Sequence, residues 1–139
     1  MASSFTNYLE VKILDHVFGR TTFTAESGVH VALSTTTPTD AGGNFTEPAV
    51  GSGYDRVSAA NDKTTWSNAT SGTSTVDNNI AVTFPQATGG GWGTVTHFGI
   101  YDSYTGGYLL GWGSLTTPRL ISDGDTPQFA SGDLDITLD

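Results

Sequence analysis

The chain contains no cysteine. A disulfide framework, a thiol nucleophile and cysteine-ligated zinc are therefore all out of reach, and the fold must hold by burial and backbone hydrogen bonding. Positive charge is nearly as scarce. Five basic side chains (Lys12, Arg20, Arg56, Lys63 and Arg119) are scattered over 139 residues against 14 acidic ones, for a net charge of −9. With no basic stripe to displace counterions from a polyanion, no nucleic-acid partner is expected. An anionic membrane surface would repel the chain, and no apolar run approaches the ~18–20 residues of a spanning helix. The N-terminal residues show no basic segment followed by an apolar one, so no secretory signal is expected. Charged residues of both signs together reach only 14%, against ~25% in an ordinary soluble protein.

What fills the sequence instead is Ser, Thr and 18 glycines, with aromatic residues at 11%. β-Branched and aromatic side chains suit a pleated surface, so this composition favours sheet over helical bundle. The length fits one ordinary domain spanning residues 1–139. One helix is predicted over about residues 4–18. Phe5, Leu9, Ile13 and Val17 recur every fourth position, Leu14 and Phe18 follow one step on, and Tyr8 and Val11 widen the apolar face. Ser3 or Ser4 can cap its start and Gly19 its end. Such a broad apolar face must be covered by the chain's own sheet or by a neighbouring subunit.

From about residue 28 to 139 the period changes to two. Val29, Val31 and Leu33 alternate with His30 and Ala32, and Tyr54, Val57 and Ala59 begin a second extended piece. Residues 35–53 and 67–79 are polar, aperiodic and rich in Gly, Ser and Thr, and read as surface loops. Ile80, Val82 and Phe84 alternate up to Pro85. In residues 95–101, Val95, His97, Gly99 and Tyr101 are expected on one face, with Thr96, Phe98 and Ile100 on the other. A glycine-terminated turn at 102–107 then sets up a hairpin with residues 108–115. Leu134, Ile136 and Leu138 alternate in a last strand expected to run to the final residue. Short strands, frequent turns and one N-terminal amphipathic helix predict a mainly β fold, an antiparallel β-sandwich or barrel-like domain.

Catalytic patterns do not assemble. His16, His30 and His97 form no metal-binding pair. His97 and Asp102 lie roughly 17 Å apart along an extended chain, so His97 reads as a hydrogen-bonded sheet residue. His16 lies near the helix C-terminus, where a positive imidazole would complement the dipole. Gly111-Trp112-Gly113-Ser114 lacks a serine between its glycines, and the glycines at 89–93 lead into no Lys-Ser/Thr and read as a flexible turn that lets Trp92 pack. Asp123/Asp125 and Asp133/Asp135 read as turn and strand carboxylates; without an EF-hand spacing they define no calcium loop. Asn44-Phe45-Thr46 and Asn68-Ala69-Thr70 match the glycosylation sequon by composition. No enzyme, metal or cofactor is expected. Trp92, Trp112, Tyr101, Tyr104 and Tyr108 gather around the hairpin. Either Trp112 and Tyr101 fill a core while Tyr104 decorates a turn, or the group forms a platform for a sugar or a protein. Phe5, Tyr8, Trp92, Tyr104 and Tyr108 are the candidate interface residues.

Four blocks carry a resemblance: Met1-Ala-Ser-Ser-Phe-Thr-Asn-Tyr-Leu-Glu with Leu14-Asp-His-Val-Phe-Gly; Val31-Ala-Leu-Ser-Thr-Thr-Thr-Pro-Thr-Asp; Trp92-Gly-Thr-Val-Thr-His-Phe-Gly-Ile-Tyr-Asp; and Ala130-Ser-Gly-Asp-Leu-Asp-Ile-Thr-Leu-Asp. Together they span nearly the whole chain, which resembles a group of small tailed-bacteriophage virion proteins. Members are described as head decoration (cement) proteins or as tail and fibre components. The resemblance implies a non-catalytic virion part, assembled in the host bacterial cytoplasm, and supplies no active-site residues. The expected role is a capsid decoration protein on the head surface, a homo-oligomer such as a trimer that clamps the major capsid protein. The alternative is a tail fibre or baseplate component that binds a host receptor or glycan.

Overall fold

The computed structural model describes residues 3–69 and 71–138; Met1, Ala2, Asp139 and the sequon residue Thr70 lie outside them. In chain order the elements are β1 (Ser3–Phe5), α1 (Asn7–Val17), β2 (Gly28–Ser34), β3 (Val57–Ala60), β4 (Thr75–Asp77), β5 (Val82–Thr83), β6 (Gly93–Tyr101), β7 (Leu109–Ile121), β8 (Gln128–Phe129) and β9 (Asp135–Thr137). Five strands form an antiparallel sheet in the order β1-β7-β6-β2-β3, and β4–β9 and β5–β8 are two-stranded ribbons. The sheet is open, so the fold is mainly β with one N-terminal helix and not a closed barrel.

Both faces of the sheet are covered. On one face Val31, Leu33, Val95, Phe98, Ile100 and Leu110 pack against Val82 and Phe84 of the β5 segment and Leu134 beside β9. On the other face Ala32, Tyr101 and Leu109 form a smaller cluster beneath Phe45 and Trp112. Residues 31–34 of β2 are buried without a break. The alternation in β2 therefore hides a strand covered on both sides.

The second face is closed by Phe45, which lies within residues 35–53, a segment that the polar composition marks as a surface loop. In the structure this segment folds back as a flap. The Thr35 amide donates to the Thr46 carbonyl at 2.9 Å, the Thr46 amide to Ser34 Oγ at 3.0 Å, and Asn44 Nδ2 to the Thr37 carbonyl at 2.7 Å. Phe45 then stands edge-on to Tyr101, with ring centres 5.3 Å apart. The hydroxyl and amide groups that look like loop chemistry satisfy the flap's own backbone, which lets it lie on the sheet.

Other expectations need correction. The helix starts later than predicted: Ser3–Phe5 pairs with β7, and Thr6 is the N-cap. Thr6 makes no side-chain cap. Its hydroxyl donates to the Leu109 and Leu110 carbonyls, at the point where the β6–β7 register slips between Ile100 and Tyr101. Gly19 does end the helix, with φ 72°. Val95 shares the face of Phe98 and Ile100, contrary to strict alternation, because a bulge between Val95 and His97 inverts the side-chain parity. The extra residues of that irregularity are on β7 and include Pro118, which has no amide to lose there. Within residues 67–79, β4 pairs with β9 and Trp66 bridges to Asn78. The last strand ends at Thr137, although the Leu138 amide still donates to the Ser74 carbonyl.

Candidate interaction surface

Asp102, at the end of the β6–β7 hairpin, organises its tip. The carboxylate accepts from the Tyr108 amide at 2.7 Å, while the Asp102 amide donates to the Tyr108 carbonyl at 3.2 Å. Gly107 at φ 72° lies so close to Asp102 and Ser103 that any Cβ would overlap them. From below, Arg56 Nη1 donates to the Ser103 carbonyl at 2.8 Å and to the Gly106 carbonyl at 2.7 Å. The same guanidinium meets both Glu47 oxygens at 2.9 Å, and the Tyr54 hydroxyl donates to Glu47 Oε1 at 2.8 Å. Burial opposes the charge on Arg56, but the hydrogen bonds and field of Glu47 win and hold it above its usual value. A half-buried ion pair thus fixes the tip.

The tip displays aromatic rings. Tyr108 stacks on Tyr8 of α1, with ring centres 4.0 Å apart and planes 5° from parallel, and Lys12 Nζ is 5.5 Å from the Tyr8 ring centre. Tyr104 stands edge-on to His30 at 5.9 Å, and His30 Nδ1 shares a 3.0 Å hydrogen bond with Ser58 Oγ. Tyr108 is 58% exposed and Tyr104 45%. Acidic neighbours colour the patch. The Tyr8 phenol is raised by its surroundings and then by Asp102, and the Tyr104 phenol by its surroundings and then by Asp55. The His30 imidazole is lowered by burial and by Arg56, with Asp102 opposing. Ring faces beside carboxylates and hydroxyls can stack on the apolar side of a sugar ring while pairing with its hydroxyls.

Of the five candidate residues, the fold brings Tyr8 and Tyr108 into contact and sets Tyr104 on the same hairpin tip as Tyr108. Phe5 lies elsewhere, lining an apolar groove of about 270 Å³ with Leu9, Trp66, Ile100 and Ile136. Trp92 is a core residue, 5% exposed, whose indole donates to the Ser52 carbonyl at 2.7 Å and whose ring stands edge-on to Tyr54. It is not part of an exposed platform, because the glycines around it let it turn inward. From sequence, Lys12 and Arg56 stood out only as scattered basic residues and Asp102 only as a distant partner for His97 and the start of a turn. Asp102 carried a turn signal, whereas the Arg56–Glu47 pair left none, since its partners are gathered by the flap.

The remaining polar candidates are occupied locally. Asp125 accepts from the Ser122 amide at 2.8 Å and Asp133 from the Ala130 amide at 3.2 Å. His97 shares a hydrogen bond with Thr96 Oγ1 at 2.8 Å and meets the Trp112 ring edge-on. His16 Nδ1 accepts from the Phe23 amide, so the imidazole ties down the segment after α1. Among the described residues, no three His, Asp or Glu side chains gather where they could hold a metal ion, and no helix is long and apolar enough to cross a membrane. A second groove, of about 390 Å³, lies at the β7 bulge between Phe84, Leu115, Arg119 and Phe129.

Comparison with known proteins gives one family. A family model described as "Podophage GP4 fiber I protein gp80" matches residues 4–137. No curated protein matches.

Proposed function

The chain belongs to this podophage fiber I family, a family of tailed-phage virion structural proteins, and on that premise we propose that it is a non-catalytic fibre subunit, tail-associated, self-associating, and facing the host surface with its hairpin tip. The family description names a fibre, which favours this reading over head decoration. The fold suits it. A sheet buried on both faces is stiff, and the half-buried Arg56–Glu47 pair ties the flap to the hairpin tip.

The observation that carries the reading is the Tyr8–Tyr108 stack together with exposed Tyr104, which packs on His30, on a hairpin tip that the Arg56 hydrogen bonds hold in place. Rigid aromatic groups bind at low entropic cost. The partner proposed is a host saccharide or receptor rather than the major capsid protein. Labelled antibody on intact particles, read by electron microscopy, tests the location, with a few copies at the tail expected. Purified protein should compete with the phage for adsorption, and a Tyr104→Ala/Tyr108→Ala double variant should compete at least about tenfold less well. Hundreds of copies over the head, lost on mild heating together with head rupture, would overturn the fibre reading in favour of decoration.

A further inference from the structure

We infer that the outward stripe of α1 is a seam through which copies of this chain associate with one another, an inference that deepens the fibre reading and rests on its multi-copy premise. Val11, Leu14, Val17 and the C-cap residue Phe18 are 55%, 56%, 66% and 80% exposed. At ~100° per residue they cover an arc of about 120° on one side of the helix. The opposite side is already used, since Tyr8 and Leu9 pack on the main core. A helix that is apolar on both sides belongs in an interior, yet no residue of α1 is buried in the single chain.

Charge identifies the occupant as a second copy. In residues 3–23, Lys12 and Arg20 balance Glu10 and Asp15, so the whole net charge of −9 resides in the rest of the chain. Two copies meeting body to body repel each other, whereas copies meeting along α1 meet on a segment of zero net charge, where Glu10 is the one charged side chain within the apolar arc. A different partner recruited by charge would be basic and would dock on the acidic body. The four side chains expose on the order of 500 Å² per copy, enough for the apolar centre of an interface of ~800 Å² per partner. Leu14 sits mid-stripe, so a symmetric seam places it near its own counterpart.

Sedimentation velocity of the full chain tests the seam. The wild type should self-associate with rising concentration and more tightly at higher salt, which screens the acidic bodies. Leu14→Glu should weaken association about tenfold or more with an unchanged circular dichroism spectrum. Because the chain has no cysteine, a single Leu14→Cys substitution provides an independent readout. It should trap a covalent dimer on mild oxidation, whereas Asp123→Cys in an exposed turn should not. A wild type that stays monomeric overturns the seam. So does an L14E variant that associates normally, or equal cross-linking at both positions. None of these results bears on where the protein sits in the particle, which the antibody labelling decides separately.

Discussion

The guanidinium of Arg56 lies 3.6 Å from the centre of the Tyr101 ring while both of its edges are hydrogen-bonded, one to Glu47 and one to the hairpin-tip carbonyls. The flap supplies Glu47, the sheet supplies Tyr101 and the tip supplies the carbonyls, so one side chain joins three parts of the fold. A planar fork with five donors can do this, and a lysine ammonium cannot.

Arg56→Met should therefore destabilise the protein by about 2–4 kcal/mol, somewhat less than for a fully buried pair because Glu47 is partly exposed. Arg56→Lys should recover less than half of the loss. Urea unfolding monitored by tryptophan fluorescence measures both. Adsorption competition by the folded R56M protein should also fall, since the tip that presents Tyr104 and Tyr108 loses its anchor.

Gly99 marks the place where the flap presses on the sheet. Any Cβ there would overlap the Phe45 ring and a Leu109 methyl. Gly99→Ala should cost about 1–3 kcal/mol by overpacking. Hydrogen exchange should locate the damage, with the amides of Thr35 and Thr46 losing protection before those of β6.

Asn78 is 1% exposed and joins the ribbons to the core. Its amide donates to the Ile80 and Ala130 carbonyls at 2.8 Å, and its oxygen accepts from the Leu134 amide at 2.9 Å. Asn78→Ala leaves three polar groups without these partners and should cost about 2–4 kcal/mol. Asn78→Asp should be no better, because a carboxylate cannot donate to the two carbonyls. Thermal unfolding of the two variants checks the claim.

Asp77 faces Asp135 across the β4–β9 ribbon. A hydrogen bond to the Asp135 carboxyl, then burial and then the Asp135 charge raise the Asp77 carboxyl above its ordinary value. A carboxyl raised in the folded state binds more protons there than in the unfolded chain, so stability falls as the pH rises through the window above the ordinary 3.8. The penalty is complete at neutral pH. Asp77→Asn should stabilise the protein there by about 0.2–1 kcal/mol, and the gain should vanish below the ordinary carboxylate value. Unfolding midpoints from acid to neutral pH would show both.

Much of the architecture is legible in the residue pattern. Alternation at Val29–Val31–Leu33, the glycine-terminated turn before Tyr108 and the four-residue recurrence through Leu9 and Ile13 are local signals, and the elements they announce are present. The failures are equally physical. Val95 changed faces because a bulge breaks a parity that only unbroken pairing enforces. Trp92, read both as packing through its glycine turn and as an interface residue, turned inward, a choice that the flanking glycines leave open and the core decides. Of the interaction surface, sequence offered Tyr8, Tyr104 and Tyr108 as separate candidates. It could not show that the first and last would stack, since that contact depends on α1 docking beside the hairpin.

By itself, then, the sequence determined the class of protein: a cysteine-free, acidic, sheet-forming chain with one doubly apolar helix. Composition and short periodicities act through backbone propensity and net charge, which need no distant partner. Tertiary structure alone decided which polar segment became a flap, which aromatic rings stayed outside and which arginine was buried. Those outcomes rest on contacts between residues far apart in the chain, where the worth of each side chain depends on what the rest of the fold brings to meet it.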